Sequence, residues 1–124
     1  MTEPENWSLA VLGLIDCEVA ESSEARRRAV FFLIRLGLEE EMRGLWRRTR
    51  PEVVKYRARV QALCLEYEGH HRIARRWFAA WSAISPACHY HQRPIVPGLA
   101  ELSAWHSEAA EIIDELSMLT VDTR

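Results

Sequence analysis

The chain has almost no lysine, few cysteines and no long apolar run, and each shortage excludes something. Lysine occurs once, at Lys55, while arginine supplies every other basic side chain. That bias reads as coding in a GC-rich genome and carries no functional information. No apolar stretch approaches the roughly 20 residues that a helix needs to span a membrane. The cysteines are Cys17, Cys64 and Cys88, an odd number with no close pairing. They read as reduced thiols, two of them small core residues, rather than as a disulfide framework. The opening Met-Thr-Glu-Pro-Glu-Asn is acidic and lacks the basic start of an export signal, so the expected location is cytoplasmic.

With 124 residues the chain can bury a core without metal or disulfide staples, and 1–124 reads as one helical domain with 1–5 and 119–124 frayed. Strand-like alternation is missing. Helical periodicity runs through the whole chain, and the expected fold is an all-α bundle of about five helices. Asn6 can cap the first, over about 7–20, where Leu9, Val11, Leu12, Leu14, Ile15 and Val19 make it apolar almost all round. Such a helix is buried or clamped at an interface, here with another copy of the chain.

Ser22 and Ser23 can cap a second helix, although Arg26, Arg27 and Arg28 oppose the dipole of its first turn unless they face Glu18 and Glu21. Its core run is Ala29 to Ile34, with Gly37 as a break or close-packing point. Thr49, Pro51 and Glu52 form a capping box for a third helix. Its stripe would be Val53, Tyr56, Val60, Leu63, Cys64 and Tyr67, with Gly69 as the stop. A fourth helix is expected from about His71 to Ser85, ended by Pro86, with Ile73, Trp77, Trp81 and Ile84 inward. The fifth, about 99–118, has Leu99, Leu102, Trp105, Ala109, Ile112, Ile113 and Leu116 as its core face.

Charge is segregated. Residues 1–25 carry six acids and no base, 26–76 fourteen bases against six acids, and 77–124 six acids against two arginines. Such a chain can neutralise itself on folding or present a basic face to an anion. Arg43, Arg47, Arg48, Arg50, Arg57 and Arg59, with Lys55, flank the Thr49-Arg-Pro junction and interleave with Trp46 and Tyr56. Gathered into one patch they could contact phosphates, which makes nucleic-acid binding an alternative function.

Residues 81–97 hold Cys88, His89 and His91 among three prolines. Glu68 and His71 add a Glu-x-x-His spacing, so Cys88, His89, His91, His71 and Glu68 are the candidate ligands should a metal be bound. Neither paired Cys-x-x-Cys nor His-Glu-x-x-His is present, and carboxylate-bridged iron bundles need the Glu-x-x-His motif twice. Structural or surface histidines, and no cofactor, are the expected outcome. Cys88 beside the histidines could also form a thiolate nucleophile, which would require a lowered thiol pKa.

Gly69, Ala74, Phe78 and Pro86 resemble the interhelical turn of the tetratricopeptide repeat, in which a small and a large residue interlock two antiparallel helices, although no second copy of the pattern follows. Size and helix count resemble the HEPN class, many members of which process RNA, but no arginine here precedes a histidine by that class's four to six residues. Arg57 to Cys64, Ala80 to His91 and Pro97 to Trp105 look like segments of small actinobacterial helical proteins with an Ala-Cys-His-rich turn. These resemblances imply an all-α architecture and no particular reaction. With five tryptophans and no complete catalytic constellation, the leading expectation is a non-catalytic, self-associating module that binds a protein partner.

Overall fold

The computed structural model describes residues 24–88 and 96–121. Among them are four α-helices, α1 (Glu24–Thr49), α2 (Ala58–Tyr67), α3 (His71–Ile84) and α4 (Leu99–Met118), and no strand. Two short 3-10 turns, Pro51–Lys55 and Ser85–Cys88, join them. The all-α class holds. The helix expected over 7–20 lies outside the described residues.

Helix α1 is the spine. Val30, Phe31, Ile34, Leu38, Met42, Leu45 and Trp46 recur at three- and four-residue spacing and are essentially inaccessible, so one face of the helix is core throughout. Gly37 does not break it. The residue is buried within the continuous helix, the close-packing alternative of its two readings.

Helices α1 and α4 run parallel. Arg27 Nε donates to the Pro97 carbonyl (3.1 Å) at one end and Arg48 Nη2 to the Leu116 carbonyl (3.2 Å) at the other. Helix α3 is antiparallel to both, because Arg28 Nη1 donates to the Ala87 carbonyl (3.0 Å) beside the start of α1 while Arg72 meets Glu115 near the end of α4. Arg27 and Arg28 therefore act as staples to loop carbonyls, which is how α1 tolerates them in its first turns. At the centre, Trp77 Nε1 donates to the Leu38 carbonyl at 2.8 Å, and the Trp77 and Trp81 rings stack with centroids 5.6 Å apart. Arg76 spans the α3–α4 seam to Glu108, Glu111 and Glu115, which pushes its pKa further up.

Helix α4 spans the expected residues and buries Leu102, Ala109, Ile112, Ile113 and Leu116, with Leu99 and Trp105 partly buried. At its end Val121 is also in the core. Gly69 ends α2 at φ +101°, a backbone conformation only glycine adopts cheaply. Pro86 closes α3 as expected, in the Ser85–Cys88 turn.

The junction after α1 differs from expectation. Thr49 is the last residue of α1 and not an N-cap. Its hydroxyl donates back to the Leu45 carbonyl at 2.9 Å, and no side-chain cap bond is made at the start of the turn that follows. Pro51 opens only a 3-10 turn, and Tyr56 and Arg57 are extended before α2 starts at Ala58. That interruption shifts the helical phase and turns the expected stripe outward. Val53 remains buried and Cys64 half-buried, but Tyr56, Val60, Leu63 and Tyr67 are exposed. The inward residues are Ala62, Leu65 and Gln61, whose amide donates to the Tyr56 carbonyl (2.8 Å) and ties α2 to the turn before it.

Replacing Trp77 by Phe removes the donor to the Leu38 carbonyl while keeping an aromatic ring. Urea unfolding is expected to show a loss of about 1–3 kcal/mol. Trp77→Ala should cost about 3–5 kcal/mol, because it also opens a cavity.

Candidate functional site

The six arginines of the basic segment do not form one free patch. Arg43 Nη1 lies 3.2 Å from both oxygens of Glu40. Arg48 is 3.8 Å from Glu41. Arg50 makes a two-pronged bond to Glu68, at 2.6 and 3.0 Å, the short geometry of a charge-assisted pair. Arg47, Arg57 and Arg59 are exposed. The pairing carboxylates come from elsewhere in the chain, Glu40 one turn back from Arg43, Glu41 two turns back from Arg48 and Glu68 across the fold. A linear count of acids within the segment therefore underestimates its neutralisation.

The candidate metal ligands fare similarly. Glu68 is the C-cap of α2 and is occupied by Arg50, while His71 opens α3 and sits 3.7 Å from Glu66. The Glu-x-x-His spacing thus straddles a turn at Gly69 instead of lying on one helix face. His89 and His91 lie outside the described residues. Among the described residues no three His, Cys, Asp or Glu side chains converge as a metal site would require.

Cys88 is half-buried, its Sγ 3.6 Å from the Ile84 carbonyl. Burial pushes its thiol pKa up, against the opposing pull of Arg35. A thiol held protonated is a poor nucleophile, opposite to the activation that covalent catalysis needs.

What the fold does assemble is an apolar cleft on the outer face of the α2–α3 hairpin, with a volume of about 300 Å³. Ala62, Leu63, Ala74, Phe78 and Ala79 line it, and Arg59, Glu66 and Arg75 stand on its rim. Ala62 and Ala74 are buried, while Ala79, Leu63 and Phe78 are exposed. Leu63 is 57% and Phe78 42% exposed. Beside the cleft, Val60 and Tyr67 continue the row along α2, with Tyr67 89% exposed. Arg75 Nε donates to Glu66 at 2.9 Å and, with His71, holds that carboxylate below its usual pKa, so the rim stays charged. Ala74 is buried, as the resemblance to a tetratricopeptide turn implies, but Phe78 has no helix covering it among the described residues. The sequence places Val60, Leu63 and Tyr67 on an inward-facing stripe, whereas Ala62, Glu66, Arg75 and Ala79 carry no signal in it. The 56–60–63–67 spacing was the available signal, and only its direction was unreadable.

No protein-family model matches the chain, and neither a curated protein nor a solved structure shows significant similarity to it. Among the described residues no helix is long and apolar enough to cross a membrane.

One buried titratable group gives a pH test. His106 is 7% exposed on α4, and burial lowers its pKa because the imidazolium would lose its hydration. In the unfolded chain a histidine takes up its proton near about 6.5. Below that pH the unfolded state therefore binds more protons than the folded one. The stabilisation is present above this pH and is lost as pH falls through the folded value. Denaturant midpoints measured between neutrality and pH 5 are expected to fall, and His106→Gln should flatten that slope. The depressed Glu66 and Glu108 act only at lower pH, in the carboxylate range.

Proposed function

We propose that this chain is a non-catalytic helical interaction module that self-associates through the outer face of α2 and α3. The observation that carries the reading is the outward stripe Val60, Leu63 and Tyr67, continued by Phe78 across the cleft. These residues recur at alternating three- and four-residue steps, the period with which helices pack on one another. A contiguous exposed apolar surface with a charged rim is the usual mark of a protein contact. Tyr67 and the rim arginines Arg59 and Arg75 belong to the residue types that dominate interfaces. A second copy supplies the same stripe and the same rim, so a two-fold contact can bring Arg59 of one copy towards Glu66 of the other.

The internal neutralisation of Arg43, Arg48 and Arg50 supports this reading over phosphate binding, since side chains already paired to carboxylates contribute little to counterion release. The raised thiol pKa of Cys88 supports a non-catalytic role in the same way.

Sedimentation of the full chain over a range of micromolar concentrations is expected to show reversible dimerisation. Leu63→Asp and Phe78→Asp should each weaken it by more than about tenfold, because burying such a side chain is worth about 1.5–3 kcal/mol and tenfold is about 1.4. Both positions are exposed, so helix content should be unchanged. A strict monomer at tens of micromolar would remove self-association through this face.

A further inference from the structure

The cleft between α2 and α3 is concave, and the charges at its mouth are unequally matched. Its side chains are apolar apart from Arg59, Glu66 and Arg75. Its volume of about 300 Å³ is at the lower end of the range of small-molecule sites, about 300–1,000 Å³. Such sites combine an apolar lining with a few polar groups that fix the orientation of the ligand.

The three polar side chains are not equivalent. Glu66 accepts from Arg75 Nε at 2.9 Å and lies 3.7 Å from His71. Elsewhere on the hairpin, Arg72 meets Glu115 at 2.9 Å and Arg76 meets Glu108 at 2.7 Å. The hairpin's other acid, Glu68, holds Arg50. Among the described residues, Arg59 is therefore the one arginine of α2 and α3 without a carboxylate partner. It is exposed at the cleft mouth, and the first turn of α2 holds no acid.

We infer that the cleft binds a small amphiphilic carboxylate, its apolar tail against Ala62, Leu63, Ala74 and Phe78 and its head on Arg59, and that this ligand competes with the second copy for the same face. The competition rests on the self-association proposed above, whereas the binding does not. Two requirements select this chemistry. A tail bearing hydroxyls or amides would lose its hydration against apolar side chains without replacement. A cationic head would meet Arg59 and find Glu66 already shared, whereas a carboxylate gives the guanidinium a planar, two-pronged partner. In the dimer the carboxylate offered to Arg59 is Glu66, which Arg75 and His71 already hold. A free carboxylate has no such competitor. When only the separated copies bind it, the dimer's apparent Kd rises by the square of one plus the ratio of free ligand to its own Kd. That is about 100-fold when the ligand stands at about nine times its Kd.

Octanoate tests this on the full-length chain, with acetate and octylammonium as controls. In isotope-labelled protein dilute enough to be monomeric, octanoate is expected to shift the signals of Ala62, Leu63, Ala74 and Ala79 saturably. Acetate, a head without a tail, should leave them in place. Octylammonium, the same tail with the opposite charge, should bind severalfold more weakly. Arg59→Gln, at an exposed position, should remove most of that difference. No saturable shift at the cleft, or equal affinity for octanoate and octylammonium, would overturn the site. A preference undiminished in Arg59→Gln would overturn the assignment of Arg59. Sedimentation with octanoate at about nine times its Kd should weaken the dimer about 100-fold. An unchanged dimer with saturable binding would overturn the competition. A chain that is monomeric without octanoate would overturn self-association and the competition together, while the shifts still decide the site.

Discussion

The hydrogen bond from the Trp77 indole to the Leu38 carbonyl sets the frame for everything else. It places the largest buried side chain of α3 against the middle of a 26-residue helix and ties the two helices together at that point. With that crossing set, Trp81 stacks on Trp77, and Arg76 faces the carboxylates of α4. The α2–α3 hairpin is then hung on α3 by the Gly69 turn and on α1 by Arg50 and Glu68. An unpaired buried indole N–H costs about 1–3 kcal/mol, more than the net gain of a typical bond, so the Trp77 bond favours this crossing over others that burial alone would allow.

A second constraint, two extended residues at Tyr56 and Arg57, decides which way α2 faces. Their effect is out of proportion to their number. A helix continued from Pro51 would have turned Tyr56, Val60, Leu63 and Tyr67 to the core. The interruption sends them to the surface and puts Gln61, Ala62 and Leu65 inside. The proposed interaction face is therefore a consequence of backbone phase.

Much of the architecture was legible in the residues. Helix α4 follows from an uninterrupted apolar period between Gly98 and the polar tail, and the Gly69 stop from a glycine between two periodic segments. Class and helix positions rest on such local signals. The site did not follow, because it depends on phase and on pairing at a distance. Thr49 and Glu52 fit a capping box in sequence, yet Thr49 is the last residue of α1 and its hydroxyl points back to the Leu45 carbonyl. The arginines from 43 to 50 look like a basic patch, yet Glu68 reaches Arg50 from eighteen residues away. Glu-x-x-His at 68–71 reads as one helix face only if Gly69 is ignored.

Hydroxyl-radical footprinting of the dilute full-length chain, read by mass spectrometry, tests the direction of α2 most directly. Leu63, Tyr67 and Phe78 should oxidise readily, while Leu65 and Trp77 stay protected. The methionines calibrate the experiment, since Met118 is 79% exposed and Met42 fully buried. Protection of Leu63 and Tyr67 together with oxidation of Leu65 would place the stripe in the core and contradict the account.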